Sequence, residues 1–253
     1  MPRLVLMRHG TTVWAETGRF AGWGDAPLSA AGEALARKAG RLLKRKSFAF
    51  DVCFTSRLIR AQETVSIVLE ELEIVDIPLE SDWKLNERHY GMLQEKSRKA
   101  IADHYGSEAM VAWRRDYRAR PPALSDDDPR WHEQKQRFQD VPEEDLPRSE
   151  SLEDGVLRVE AFWKACLSPV LRSGKNMLVV AHTCSIRSLV KSLDGLSDEQ
   201  AEAFRIPPAI PLVYELNDDL SVLRSYRLIN DRGTWWRNTT NRYKPRWMYR
   251  KGA

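Results

Sequence analysis

The sequence predicts an α/β fold built on buried parallel strands, and three observations predict it. Two short apolar runs, Leu4-Val5-Leu6-Met7 and Met177-Leu178-Val179-Val180-Ala181, are bounded by polar residues, as strands covered on both faces are. Strand-like and helical segments alternate along the chain in the manner of βαβ units. Each apolar run also delivers a histidine, the first through Arg8-His9-Gly10 and the second at His182. In open α/β sheets ligands bind at the carboxyl ends of strands, so the pattern brings one arginine and two imidazoles to a common mouth.

The elements follow in order. A polar, Gly-punctuated loop runs from Thr11 to Ala26, and Ser29 then caps a helix rich in Ala, Leu and Lys that extends to about Lys46. Asp51-Val52-Cys53-Phe54-Thr55 reads as a second strand, and Ser56-Arg57 turns it into a helix whose first turn carries Arg60. Ile74 to Leu79 reads as a third strand, ending before Trp83-Lys84-Leu85-Asn86-Glu87. From Ser97 to Asp145 the pattern becomes polar, aromatic and charged, with Pro121-Pro122 and Asp126-Asp127-Asp128; such an excursion reads as a lid or rim over a site. Helical spacing returns from Leu152 to Leu167. After the His182 strand, Ile186, Leu189, Val190 and Leu193 mark a further helix, and Val213 to Tyr226 reads as a closing hairpin around Asn217-Asp218-Asp219.

At 253 residues the chain fits one α/β domain with an elaboration. The expected division is a catalytic domain over 1–228, with a rim insertion at 97–147, and a basic, Trp-rich tail over 229–253. No signal peptide and no apolar stretch of about 20 residues is read, so the expectation is a cytoplasmic protein with no membrane partner. Cys53, Cys166 and Cys184 are scattered, which fits reduced thiols and offers no metal-ligand spacing. Net charge is +4, but from Tyr226 to Ala253 eight Lys or Arg face the single acid Asp231, with Trp235, Trp236, Tyr243, Trp247 and Tyr249 between them. That arrangement suits stacking on bases, yet packing on the domain or closure over an anionic substrate is the preferred reading, and nucleic acid is not the expected partner.

A neutral imidazole is a good nucleophile toward phosphorus, and the arginine fork matches phosphate oxygens, so Arg8, His9 and His182 point to phosphoryl chemistry. Paired arginines such as Arg114-Arg115 read by themselves as a solvated helix face. With these residues in view the chain resembles the 2,3-bisphosphoglycerate-dependent phosphoglycerate mutases of the histidine phosphatase superfamily, from Leu4 to about Leu228. The resemblance is carried by Arg8-His9-Gly10, Arg19-Phe20-Ala21-Gly22-Trp23, Thr55-Ser56-Arg57-Leu58-Ile59-Arg60-Ala61, Leu85-Asn86-Glu87-Arg88-His89-Tyr90-Gly91-Met92, Trp113-Arg114-Arg115, Pro121-Pro122, Glu150-Ser151-Leu152, Ala181-His182 and Pro211-Leu212-Val213-Tyr214-Glu215.

The resemblance implies a mixed, mostly parallel sheet flanked by helices on both faces. It implies interconversion of 3-phosphoglycerate and 2-phosphoglycerate through a phosphohistidine, primed by 2,3-bisphosphoglycerate, without a metal, in a homodimer or homotetramer. His9 would attack phosphorus; Arg8, Arg60 and His182 would surround the transferring group; Glu87 would exchange protons with the leaving and incoming oxygens. The small phosphorylated substrate would be held by Thr12, Ala21, Gly22, Tyr90, Arg98, Arg114, Arg115, Thr183 and Cys184. The chain departs from the family pattern at several of these positions. Thr11-Thr12 stand where Glu-Ser usually follows Arg-His-Gly, Ala15 and Ala21 replace polar residues, Glu95 replaces Gly, Arg98 replaces Lys, and Thr183-Cys184 replace Gly-Asn. These changes open a second reading, a phosphohydrolase or specialised mutase for another small phosphate ester. A binding protein acting through its basic tail is a remote third, opposed by the intact Arg8, His9, Arg60, Glu87 and His182.

Overall fold

A computed structural model describes residues 1–230 and the strand 234–236. Seven strands form one sheet: β1 (Arg3–Arg8), β2 (Val52–Thr55), β3 (Leu79–Ser81), β4 (Met177–Ala181), β5 (Leu212–Leu216), β6 (Val222–Arg227) and β7 (Thr234–Trp236), in the spatial order β3-β2-β4-β1-β5-β6-β7. The pairs β3-β2, β2-β4 and β4-β1 are parallel, and β1-β5, β5-β6 and β6-β7 are antiparallel, so five of the seven strands point one way. The expected mixed, mostly parallel sheet is therefore present, and the hairpin read around Asn217-Asp218-Asp219 joins β5 to β6. Of the basic, Trp-rich tail, residues 229–230 and β7 are described, and the remainder lies outside the described residues.

Why both faces are covered is visible in the alternation along the strands. Leu4 and Leu6 of β1, Phe54 of β2 and Met177, Val179 and Ala181 of β4 point to one core, where Val159, Phe162, Ile186 and Leu189 pack on them. Val5, Met7, Cys53, Leu178 and Val180 point to the other, filled by Leu42, Leu43, Val65 and Val68. A period of two with both sets apolar is what a sheet sandwiched between helices demands. The first layer of helices is α7 (Leu152–Phe162) and α9 (Thr183–Asp194); the second is α2 (Ala30–Arg45) and α3 (Ile59–Leu72).

Capping agrees with the sequence. Ser29 Oγ accepts from the Gly32 amide at the start of α2, and Ser151 and Asp154 form a capping box at the start of α7. Beyond α7 the chain widens into a π turn at Trp163–Leu167 before α8 (Ser168–Arg172), because Pro169 offers no N–H and its ring crowds the carbonyl four residues back.

The third strand is shorter and later than its apolar residues predicted. Helix α3 ends on Glu73 in the left-handed region (φ 58°), and pairing begins only after Pro78, whose carbonyl accepts from the Cys53 amide. The edge strand β3 is consequently Leu79–Ser81, three exposed residues, and the expected strand over 74–79 is corrected.

The polar excursion holds α4 (Arg98–Tyr105), α5 (Ser107–Arg115) and α6 (Pro129–Arg137), after the one-turn helix α1 (Val13–Glu16) in the first loop; α10 (Asp198–Ala203) follows α9. Its second half has an aromatic cluster of its own in which Trp131 and Phe138 pack with Trp23 and Trp83. Arg57 clamps Asp140 with two bonds of 2.7 and 2.6 Å, and Arg137 reaches Asp25 at 2.8 Å, so this half is tied to the loops around Arg60. Helices α4 and α5 are lightly packed by comparison, with Ile101 their single buried residue.

Candidate active site

The register of the central strands builds the site. In the β1-β4 pair Arg8 lies opposite Ala181, and the His9 amide donates to the Ala181 carbonyl at 3.0 Å, so His9 and His182 emerge side by side. Their rings stand 5.0 Å apart, centroid to centroid. Strand β2 ends at the same level, Thr55 pairing with Val180, and therefore supplies Ser56 to His182. The helix α2 seats directly under the loop after His9. A Cβ on Gly10 would come 2.4 Å from the Gly32 carbonyl oxygen, so the glycine of Arg-His-Gly is required by close approach.

Hydrogen bonds fix both imidazoles. His9 Nδ1 is 2.6 Å from the Gly10 carbonyl, which only accepts, so the proton sits on Nδ1 and Nε2 carries the lone pair. Burial, reinforced by the nearby Arg60 and Arg8 charges, drives the His9 pKa well below its usual value and keeps the ring neutral. Ser56 Oγ accepts from the Leu58 amide at 3.2 Å and stands 2.6 Å from His182 Nε2. With the hydroxyl donating to Nε2, His182 carries its proton on Nδ1, a buried atom with no partner among the described residues. Burial, then Arg60 and His9, also hold His182 neutral.

Arg60 is buried and aimed by the Gly22 and Gly24 carbonyls at 2.7 and 2.9 Å; burial lowers its pKa to about 10, which leaves it charged near neutrality. Arg8 donates to the Ile206 carbonyl at 3.2 Å, while its Nε is buried with no partner among the described residues. Glu87 Oε1 accepts from the Arg88 amide at 2.9 Å and from the Cys184 amide, in the first turn of α9, at 3.1 Å. One of these donors belongs to the N-terminus of α9 and the other to the turn that carries Glu87 itself.

The turn that carries Glu87 is held from several sides. Its carbonyl accepts from Trp23 Nε1 at 2.7 Å and from Arg158 at 3.3 Å, and Arg158 also reaches the Lys84 and Asn86 carbonyls at 2.7 and 3.2 Å. Arg158 is neutralised by the buried Glu150 at 2.8 Å, whose second oxygen accepts from the His89 amide. Sequence reasoning missed Arg158 and Trp23 as supports, because residues so distant in the chain give no local signal.

A cavity of about 570 Å³ opens in front of His9. Of the sequence-predicted residues it gathers Arg8, His9, Thr12, Ala21, Gly22, Arg60, Glu87, Tyr90, Arg98, Arg114, Thr183 and Cys184, together with the altered Ala15. His182, fully buried with its ring 5.0 Å from that of His9, and Arg115 are not part of the lining. Glu95 is exposed and also outside the lining, so the extra carboxylate is not inside the pocket. The Cys184 thiol is buried against Gly155, with burial pushing its pKa up to about 12; the backbone amide, not the thiol, serves Glu87. Arg19, Arg88, Arg187 and Arg205 line the cavity without having been predicted. Among the described residues the lining thus carries eight arginines and one carboxylate, Glu87.

A cavity with fixed cationic donors and a neutral imidazole suits transfer of a highly charged group. The sequence matches the histidine phosphatase superfamily (branch 1) over residues 4–128 and 123–228. The chain belongs to the histidine phosphatase superfamily. Solved structures with the same fold include an alpha-ribazole phosphatase from Shigella flexneri, 25% identical, covering 88% of this chain and 94% of that one with a TM-score of 0.66. A mycobacterial glucosyl-3-phosphoglycerate phosphatase is 22% identical over 90% of this chain and 97% of its own, with a TM-score of 0.66. A phosphoglycerate mutase from Bacillus anthracis is 23% identical over 87% of this chain and 90% of its own, with a TM-score of 0.61. The last two likenesses speak for the shared fold alone.

Proposed function

We propose that this superfamily member carries a phosphoryl group on His9 Nε2, and that its reaction is the interconversion of 3-phosphoglycerate and 2-phosphoglycerate with 2,3-bisphosphoglycerate as primer. The observation that carries the reading is the neutral, tautomer-fixed His9 facing a cavity whose charge is arginine except for Glu87. In the first step the Nε2 lone pair forms the N–P bond as the P–O bond breaks, and the departing oxygen takes a proton from Glu87. The second step is the reverse on the other hydroxyl, whose proton Glu87 accepts. Arg8, Arg60 and the Nδ1–H of His182 donate to the oxygens of the transferring group, where charge is spread. Oε1 of Glu87 is committed to two amides, which leaves Oε2 as the proton-transferring atom.

Arg98, Arg114 and Tyr90 supply the binding of the non-transferred acidic group, in a substrate with more than one such group. A second reading, net hydrolysis of a small phosphate ester, draws on Ala15 and Ala21, which line the cavity without a polar side chain, and on the phosphatase name of the Shigella flexneri relative. Water reaching the phosphohistidine would give that outcome.

The deciding experiment incubates the protein with 3-phosphoglycerate, with and without 2,3-bisphosphoglycerate, and follows 2-phosphoglycerate and free phosphate together, with His9→Ala as the blank. Primer-stimulated 2-phosphoglycerate supports the mutase. Release of phosphate without it supports the hydrolase.

A further inference from the structure

The basic residues of the cavity fall into two groups, one of which the reaction above does not use. Arg98 and Arg114 come from the lightly packed α4 and α5. Arg187 comes from α9 and Arg205 from the segment that follows α10. Three consecutive carbonyls there accept from three arginines: Phe204 from Arg187 at 3.1 Å, Arg205 from Arg227, and Ile206 from Arg8 at 3.2 Å. Arg205 therefore stands between the carbonyl held by Arg187 and the carbonyl held by Arg8, and it lines the cavity.

Among the described residues the carboxylates of Glu87 and Glu202 are close enough for their charges to act on Arg187, yet donors of the wall remain unused. The Nε of Arg187 is a buried donor with no partner among the described residues, as is the Nε of Arg8. Glu87, the one carboxylate of the lining, is already engaged by the Arg88 and Cys184 amides. Placing positive groups together with unused donors is unfavourable until an anion arrives, and guanidinium forks select planar carboxylates and phosphates.

We propose that Arg187 and Arg205 form a separate anion subsite, so that the substrate or primer class carries at least two acidic groups besides the phosphoryl group transferred to His9. One acidic group meets the Arg98-Arg114 side and the other meets the Arg187-Arg205 wall. The inference rests on the reading of the cavity as a phosphoryl-transfer site and specifies its ligand: a small molecule with three anionic groups, of which two are not transferred. Arg205 is a specificity-determining residue in this account.

Calorimetric titration of the intact protein with inorganic phosphate, 3-phosphoglycerate and 2,3-bisphosphoglycerate tests it, since these probes carry one, two and three acidic groups. The expected variant is Arg205→Ala, whose side chain is exposed and whose removal leaves the backbone contacts in place. It should weaken 2,3-bisphosphoglycerate about tenfold more than 3-phosphoglycerate and change phosphate less than threefold. Arg187→Lys, which keeps the charge and loses the fork, should move the same ratio in the same direction. Arg118→Ala removes a positive charge outside the cavity and should leave the ratio unchanged. Equal weakening of all three probes, or an unchanged ratio in Arg205→Ala while phosphate still binds in an Arg60-dependent way, overturns the subsite and spares the phosphoryl-transfer reading. Failure of the wild type to bind any of the probes overturns both.

Discussion

His9 and His182 face each other with ring centroids 5.0 Å apart because the strands that carry them are in-register parallel neighbours. One imidazole is fixed by the Gly10 carbonyl and the other by the Ser56 hydroxyl, and both are buried beside Arg8 and Arg60. The pair is therefore two neutral imidazoles side by side, in a setting where a proton on either ring is repelled.

Burial of neutral histidines makes stability depend on pH. His9 and His182 are held well below 6.5, and His89, buried on Gln134, is lowered to about 4 by burial. Between each folded value and 6.5 the unfolded chain binds the proton and the folded one does not, so stability rises with pH through that window. It is fully present above about pH 6.5 and is lost as pH falls toward 4; His89 alone accounts for about 3 kcal/mol. Urea midpoints measured from pH 7 to pH 4 should fall steadily, and a flat profile would refute the neutral, buried assignment.

Ser56→Ala removes the hydroxyl that sets the His182 tautomer. The protein should lose about 1 kcal/mol of stability, and phosphoryl transfer should slow about ten- to hundredfold, because Nδ1–H is no longer enforced. Single-turnover rates separate this from misfolding: Ser56→Thr, which restores a hydroxyl, should recover part of the rate. Identical rates in Ser56→Ala and the wild type would remove Ser56 from the account.

Glu87→Gln keeps an oxygen for the Arg88 and Cys184 amides while abolishing proton transfer. Activity should drop about 10²- to 10⁴-fold, with the melting temperature close to that of the wild type. A substrate with a good leaving group, such as p-nitrophenyl phosphate, needs no proton on departure and should be spared in the burst phase. A loss of equal size on both substrates would argue against the acid-base role.

Glu95 occupies the left-handed region at φ 69°, where a side chain costs about 1–2 kcal/mol, and it does not line the cavity. Glu95→Gly should stabilise the protein by about 0.5–1 kcal/mol, the unfolded-state entropy of glycine offsetting part of the relief. Activity should be unchanged. Destabilisation in chemical denaturation would show that the Glu95 side chain does something that its exposed position does not reveal.

How far the site was legible follows from how local each signal is. His9, His182 and Arg60 were readable because apolar runs end beside them and the ends of parallel strands meet. Arg114 and Arg115 were readable as a pair but not as one inside and one outside: adjacent residues on a helix point about 100° apart, and only Arg114 reaches the cavity. Ser56, Arg158, Arg187 and Arg205 were silent, since their meaning comes from contacts made across the sheet or between distant loops. The third strand was misplaced because apolar residues between Glu73 and Pro78 follow a helix end and precede a proline, and neither feature allows a ladder there.

The central claim, transfer through His9, is tested most directly by trapping the phosphoenzyme. The protein is mixed with ³²P-labelled 2,3-bisphosphoglycerate, quenched in base within milliseconds, and mapped by peptide mass spectrometry, with His9→Ala in parallel. The account predicts one acid-labile, base-stable phosphate per chain, on His9, absent from the variant. Label that survives in His9→Ala, or its absence from the wild type while substrate is turned over, would contradict it.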